Sequence, residues 1–268
     1  MADRDGNVRD RLWLWCHEAG SHNGLFSVTE ESHIEPVDAA RSMGLENALV
    51  IRFGPTFDPE REAAALAGMR RVVWSIVGNA GHTEGDEVGR ARDLATRRPN
   101  FTGVVMDDFF LNGLPAEHAA EGERDLAVHN AEALRSIRER LTVNGRTLDL
   151  WVVLYDHQLG MPLERHLAQC DVVTFWTWRA ENLVHLEENL ARAETMAAGK
   201  RLVLGCYMWD YGTGHPMPLD AMRHQVELGE RWLREGRIEG MIFLASCICD
   251  LELEAVEWTR RWITGLPD

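Results

Sequence analysis

The chain reads as one α/β domain over residues 1–268, a single (β/α)8 TIM barrel, and three observations predict it. Short apolar runs rich in Val, Ile and Trp alternate eight times with longer amphipathic stretches, the pattern of parallel strands joined by helices. No low-complexity tract or linker interrupts the 268 residues, a length that such a barrel commonly fills as one unit. Polar and aromatic residues gather just after nearly every run, whereas the opposite ends lack them. Barrels carry their chemistry at the C-terminal ends of the strands.

The runs are Leu12–Cys16, Ala48–Phe53, Arg71–Val77, Gly103–Met106, Leu148–Tyr155, Asp171–Trp178, Arg201–Trp209 and, within Ile238–Ile248, the segment Gly240–Leu244. Helices are expected between them. Glu35-Pro36 opens a short one ending near Gly44. Asp58-Pro59 supplies a cap and a proline at the first helical position ahead of Glu62–Met69. Thr83–Arg98 has acids at its start and arginines at its end, as the helix dipole prefers. Ala116–Leu141 is expected as the longest helix, with Leu126, Leu134, Ile137 and Leu141 as its buried stripe. Pro162–Gln169, Glu181–Gly199, Pro218–Gly236 and Glu252–Gly265 complete the set. An open doubly wound sheet would want a phosphate-binding glycine turn after its first strand. That position reads His17-Glu18-Ala19-Gly20-Ser21-His22-Asn23-Gly24, without the GxGxxG spacing. The reading calls for no cofactor.

The formal net charge is −15, from 43 acidic and 28 basic residues. This argues against nucleic acid and anionic membrane surfaces as partners, since both attract Lys/Arg clusters. The start of the chain is polar, without the apolar core of a signal peptide, and no apolar run approaches a membrane span. A cytoplasmic protein is the expectation. Five cysteines, an odd number, read as reduced buried thiols, and Cys247-Ile248-Cys249 would put two of them on one strand face. Sequence leaves the oligomeric state open.

The strand tips carry the candidate site. They read His17-Glu18, Arg52-Phe53-Gly54-Pro55, Asn79-Ala80-Gly81-His82, Asp107-Asp108, Tyr155-Asp156-His157-Gln158, Trp176-Thr177-Trp178-Arg179, Tyr207–Gly212 and, less sharply, Ser246–Asp250. Aromatic faces stack on the C–H faces of sugars, while carboxylates, amides and arginine bind hydroxyls. Trp176, Trp178, Tyr207 and Trp209 are therefore expected to wall a sugar pocket, with Glu18, Arg52 and Asp156 as polar contacts. Trp13, Trp15, Trp74 and Trp151 lie earlier in their strands and are expected to fill packing layers.

The fourth run ends in two adjacent aspartates followed by Phe109-Phe110. A single aspartate there would read as a helix cap. Two, with aromatics instead of a helical pattern after them, read as a site. Glycosidic bonds break between a proton donor and a second group that stabilises or attacks the anomeric carbon. Asp107 and Asp108 are the candidate catalytic pair, one of them kept protonated by the other charge and by the aromatics. Asp210 and Asp156 are the candidates for a separated second carboxylate, with Glu18 a weaker one.

This strand-four tip, apolar residues followed by Asp-Asp-aromatic, resembles barrel glycoside hydrolases that work by substrate assistance, the O-GlcNAcase and bacterial hyaluronidase-like family. The resemblance covers about ten residues plus the barrel plan. It implies that Asp107 orients the substrate's acetamido group, that Asp108 is the general acid, and that Trp176, Trp178 and Tyr207 line the sugar pocket. The expected function is therefore a glycoside hydrolase acting on a carbohydrate substrate. Two rival readings remain. One is a metal-dependent barrel enzyme drawing on His17, Glu18, His22, His82, Asp107, Asp156 and His157, although no HxH or HExxH motif supports it. The other is a barrel that binds carbohydrate without catalysis. No GxSxG motif points to a serine nucleophile.

Overall fold

A computed structural model describes residues 7–54, 57–111 and 126–267. Eight parallel strands close into a barrel: β1 (Leu12–Cys16), β2 (Asn47–Val50), β3 (Arg71–Val77), β4 (Phe101–Met106), β5 (Asp149–Tyr155), β6 (Val172–Trp176), β7 (Arg201–Tyr207) and β8 (Gly240–Leu244). Each strand pairs with its sequence neighbours, and β8 returns to β1. Around them lie α1 (Pro36–Met43), α2 (Pro59–Ala65), α3 (Glu87–Arg97), α4 (Ala131–Arg140), α5 (Glu164–Leu167), α6 (Leu186–Met196), α7 (Leu219–Glu235) and α8 (Glu254–Thr264). Among the described residues no helix is long and apolar enough to cross a membrane.

Local chemistry sets the helix ends. The Asp58 carboxylate accepts from the N–H groups of Glu60 and Arg61, and Pro59 opens α2. Asp86, from the acidic cluster before the third helix, caps α3 through Gly89 N–H. Gly44 and Gly236 end α1 and α7 in the left-handed conformation, at φ 69° and 72°.

The barrel interior is built from tryptophan set against glycine. Inward side chains recur every second residue, so Trp13 and Trp15 both enter from β1. Trp13 meets Trp151 of the diametrically placed β5 edge-on at 5.2 Å, and Trp15 meets Trp176 of β6 at 5.2 Å. Rings this wide fit only where a neighbouring strand yields its side chain. A Cβ on Gly205 would lie 2.0 Å from the Trp176 ring, and one on Gly103 would lie 2.9 Å from Trp151 Nε1. Below them the Arg71 guanidinium covers Trp13 at 4.5 Å and donates to Asn47 Oδ1, closing the N-terminal end of the barrel. Trp74 points outward instead, packing between Phe57 and Phe101 under the helices.

Several boundaries differ from the sequence expectation. β2 stops at Val50, because Arg52 and Phe53 turn away to form the mouth. The sixth run leaves the sheet after Trp176, and Trp209–Asp210 pairs instead with His215–Pro216 in a small antiparallel hairpin. The helix predicted over Ala116–Leu141 begins, in its described part, only at Ala131, capped by Asn130 Oδ1. Ala127 just before it bridges Phe110, and residues 116–125 lie outside the described part. Cys247 and Cys249 do not share a strand face, because Ser246–Ile248 is a 3-10 turn after β8. All five cysteines are buried and unpaired, and burial pushes the Cys247 thiol up to about 12.

Candidate active site

β4 delivers the aspartate pair. Asp107 extends the strand line, its N–H donating to Val77 O at 3.0 Å. The chain then turns sharply at Asp108, whose φ is 44°, a left-handed conformation that side chains seldom adopt. Straight strand geometry would have sent the two side chains to opposite faces. With the turn, both belong to one hydrogen-bonded group. Asp108 N–H donates to Asp107 Oδ1 at 3.0 Å. Asp108 Oδ1 accepts the Tyr155 hydroxyl at 2.8 Å, and Oδ2 accepts Ala80 N–H at 2.8 Å.

The two carboxyls differ in exposure. Asp107 is buried, 5 % exposed, whereas Asp108 is half-buried and faces a cleft. Burial, then the adjacent Asp108 charge, pushes the Asp107 carboxyl well above the usual carboxylate range, against the opposing pull of the Asp108 N–H. The hydroxyls of Tyr155 and Tyr207 are also pushed up, first by burial and then by neighbouring ionisable groups that include both aspartates. This corner of the mouth thus favours protons on Asp107, Tyr155 and Tyr207.

The cleft in front of Asp108 has a volume of about 390 Å3 and is lined by Tyr155, Asp156, His157, Trp178, Arg179 and Asn182. His157 stacks on Tyr155 with 9° between the rings, and Trp178 stands edge-on to Tyr155 and to Tyr207, at 5.7 and 5.9 Å. Asp156 holds this wall in place. Its Oδ1 accepts Trp178 N–H and its Oδ2 accepts the Asn182 amide. Burial raises its carboxyl, but hydrogen bonds from His157, Trp178 and Asn182 outweigh that and hold it below the ordinary range. Gln158 ties the floor together, accepting Tyr155 N–H and donating to Phe110 O.

The remaining predicted residues lie elsewhere. Trp176 is 1 % exposed, its indole N–H donating to Thr174, so it forms the floor beneath Tyr207 and lines no cleft. Trp209 is buried and donates to Phe26 O. Asp210 lies in the hairpin strand opposite His215, its Oδ2 accepting from the Thr213 hydroxyl and its Oδ1 buried without a hydrogen-bond partner among the described residues, and it borders neither cleft of the mouth. Glu18 is spent on backbone, accepting the N–H groups of Phe53 and Gly54. Arg52 is ion-paired with Glu84 and Glu87 in a second cavity at the tips of β2 and β3. The histidines and acids considered as metal ligands come together at most in pairs, such as His17 with His22 and Asp156 with His157. Among the described residues no three His, Cys, Asp or Glu side chains form a group that could hold a metal ion.

The β1 side of the mouth is closed by aromatic packing. His17, His22, Phe26, Phe53 and Tyr211 contact one another with ring centroids 4.9 to 6.3 Å apart. His17 Nε2 accepts from Trp15 Nε1 and its Nδ1 lies 3.3 Å from Ile51 O, which fixes a neutral imidazole with the proton on Nδ1. Burial pulls His17 down to about 4, against the hydrogen bond to Ile51. His22, hydrogen-bonded to the Tyr211 hydroxyl, is held well below its ordinary value by burial and by His17.

Sequence reasoning missed Ala80 and Asn182 as contributors and offered His157 only within a strand tip and as a candidate metal ligand. Ala80 acts through a backbone N–H, which no side-chain pattern reveals. Asn182 lies three residues beyond a strand tip, where nothing in the sequence marks it.

No protein-family model and no curated protein matches this chain. It is similar in structure to the tryptophan synthase α-subunit of Pyrococcus furiosus, at 12 % identity over 97 % of this chain and 99 % of that one, TM-score 0.53. A chitinase active domain of Pyrococcus furiosus, solved with chito-oligosaccharides, matches at 13 % identity over 90 % and 85 % of the two chains, TM-score 0.55. A protein of Bacteroides thetaiotaomicron assigned as an α-L-fucosidase matches at 8 % identity over 96 % and 97 %, TM-score 0.57. At such identities the likeness establishes the shared barrel fold.

Proposed function

We propose that this barrel is a glycoside hydrolase-like enzyme working in the cleft between β4 and β6. The observation that carries the reading is Asp108. Its strained turn holds a carboxylate at the cleft wall, between a tyrosine hydroxyl and a backbone N–H, opposite an indole ring. Conformational strain of this kind concentrates at functional positions. Trp178 offers a face for a sugar ring, and Arg179, Asn182 and Asp108 offer hydroxyl partners. Two of the barrel neighbours, the chitinase and the α-L-fucosidase, are carbohydrate-acting by name, which agrees with this choice.

In this mechanism Asp108 is the group that meets the glycosidic oxygen. Asp107 stands behind it, buried, with its carboxyl pushed above the usual carboxylate range, and fixes Asp108 through the backbone N–H. The division agrees with the resemblance in giving the second aspartate the acid role. It differs in placing Asp107 away from direct substrate contact. Asp156 is a positioning residue, since its oxygens hold the Trp178 N–H and the Asn182 amide that build the cleft wall. Asp210 has no place in this cleft, so the second chemical partner of Asp108 is sought in Tyr155, Tyr207 or the substrate itself.

The test is turnover of an aryl-glycoside panel by the intact protein and by Asp108→Asn and Asp107→Asn. Loss of turnover in Asp108→Asn, with folding retained, supports the reading. Undiminished turnover in both variants rules out the acid assignment. Saccharide binding by wild type without turnover of any panel member would favour a carbohydrate-binding barrel.

A further inference from the structure

A second cavity, of about 440 Å3, opens on the same face at the tips of β2 and β3. Phe53, Phe57 and Trp74 give it aromatic walls, and Arg52, Glu87 and Arg90 give it polar ones. The Arg52 side chain is only 13 % exposed. Its Nη1 lies 3.1 Å from Glu84 Oε2 and 2.9 Å from Glu87 Oε1. Its Nη2 is buried and has no hydrogen-bond partner among the described residues. Glu87 Oε1, close as it is to Nη1, likewise makes no hydrogen bond. A buried polar group left unpaired is costly, and here the unpaired Arg52 Nη2 lies in the wall of the cavity beside Glu87, whose Oε1 is held in the ion pair with Nη1 and has a lone pair left to accept a further hydrogen.

The group that satisfies both at once is a hydroxyl, which accepts from Arg52 and donates to Glu87. A carboxylate or phosphate would satisfy Arg52 and be repelled by Glu84 and Glu87, and an ammonium would meet the reverse. The two arginines and two glutamates lining the cavity cancel in formal charge, which again favours a neutral polyol beside aromatic rings. The cavity is also fixed to the candidate centre. Arg52 O accepts Asn79 N–H at 3.0 Å, and the next residue, Ala80, donates its N–H to Asp108. The β3 tip thus forms a thin partition, with His82 lining the cavity on one side and Asp108 lying on the other.

We propose that this cavity is a second saccharide subsite, joined to the Asp108 cleft over the β3 tip, so that the substrate is an oligosaccharide of neutral sugars. The proposal rests on the function argued above and specifies its substrate class. Each site holds one tryptophan, Trp74 or Trp178, so the two can be read separately. The experiment is 19F NMR of the Asp108→Asn protein labelled with 5-fluorotryptophan, resonances being assigned by Trp74→Phe and Trp178→Phe. It is titrated with gluco-, xylo- and N-acetylglucosamine-based saccharides from monosaccharide to hexasaccharide, and with glucuronate and inorganic phosphate.

The expected result is that a longer neutral saccharide moves both resonances. Arg52→Met, Arg52→Lys and Glu87→Gln should each weaken it about tenfold, the loss of one hydrogen bond to a charged group, while leaving short ligands of the cleft unaffected. Movement of Trp178 alone at every length overturns the second subsite and leaves the function standing. Movement of Trp74 alone supports a sugar site here and overturns the cleft as the centre. Movement of Trp74 with phosphate or glucuronate only, or full rescue by Arg52→Lys, overturns hydroxyl recognition. No movement with any saccharide overturns both readings.

Discussion

The two halves of the barrel mouth use the same residue types to opposite ends. On the β4–β6 side, Asp108, Tyr155, His157 and Trp178 border an open cleft. On the β1 side, His17, His22, Phe26, Phe53 and Tyr211 pack against each other and leave no room. Both halves place aromatic and titratable groups at strand tips. The difference lies in exposure, since the polar atoms of both halves find protein partners. In the closed half, a ring nitrogen of each histidine is matched to a protein partner, Trp15 or Tyr211, and burial suppresses charge. In the open half, a carboxylate is held at the surface by a strained turn. The strand-tip rule of barrel enzymes therefore points to a ring of residues, and exposure to a cleft separates the open arc from the packed one.

That distinction predicts which substitutions affect turnover and which affect stability. The largest effect is expected for Asp108→Asn, which should lower kcat/KM about 10²–10⁴-fold, the range for losing a positioned acid, with an unchanged thermal midpoint. Trp176→Ala should do the reverse. It empties the barrel floor beneath Tyr207 and should cost about 3–5 kcal/mol, seen as a lower midpoint in denaturant. A Trp176→Ala protein as stable as wild type would mean that this indole is not part of the core.

Acid should act through the closed half. His17 titrates at about 4 in the fold and near 6.5 when unfolded. The unfolded chain therefore takes up the proton first, and stability is lost as pH falls from about 6.5 toward 4. The loss attributable to this group is about 3 kcal/mol by pH 4. Chemical denaturation at a series of pH values checks it, and His17→Gln should flatten the acid limb. Asp107 has the opposite sense. Its raised carboxyl favours the protonated fold, so this contribution is lost as pH rises through the folded value. If the neutral form of Asp107 matters for turnover, activity should fall on the alkaline side at a pH above the ordinary carboxylate range, and Asp107→Asn should remove that limb. The smallest effect belongs to Trp178→Ala, expected to weaken saccharide binding about tenfold, within the range of aromatic stacking on a ligand, without a comparable loss of stability.

The fold was legible in the sequence because it is dictated by periodicity. The alternation of apolar runs and amphipathic stretches located all eight strands, and Asp58-Pro59 and the acids before Val88 located helix starts. The tryptophans of β1 and β5 pack inside the barrel as expected, and Trp74 of β3 packs under the helices while also bordering the β2–β3 cavity. The site was only partly legible. The Asp107-Asp108 pair stood out because nothing structural required two adjacent acids. Trp176 and Trp209 were read as pocket walls because a strand tip and a strand's last buried layer differ by one residue, and sequence does not show where the strand leaves the sheet. Glu18 was a free carboxylate in the sequence but is engaged by Phe53 and Gly54 in the fold, and one oxygen of Asp210 is engaged by Thr213. Such partnerships arise between loops distant in sequence or inside a turn, and residue type alone does not disclose them.

The most direct test is a crystal structure of the Asp108→Asn protein with a saccharide that the wild type turns over. A sugar ring is expected on Trp178, between Tyr155 and Asn182, with the glycosidic oxygen within hydrogen-bond distance of residue 108. A sugar bound on the β1 side of the mouth, against His22 and Tyr211, would contradict it.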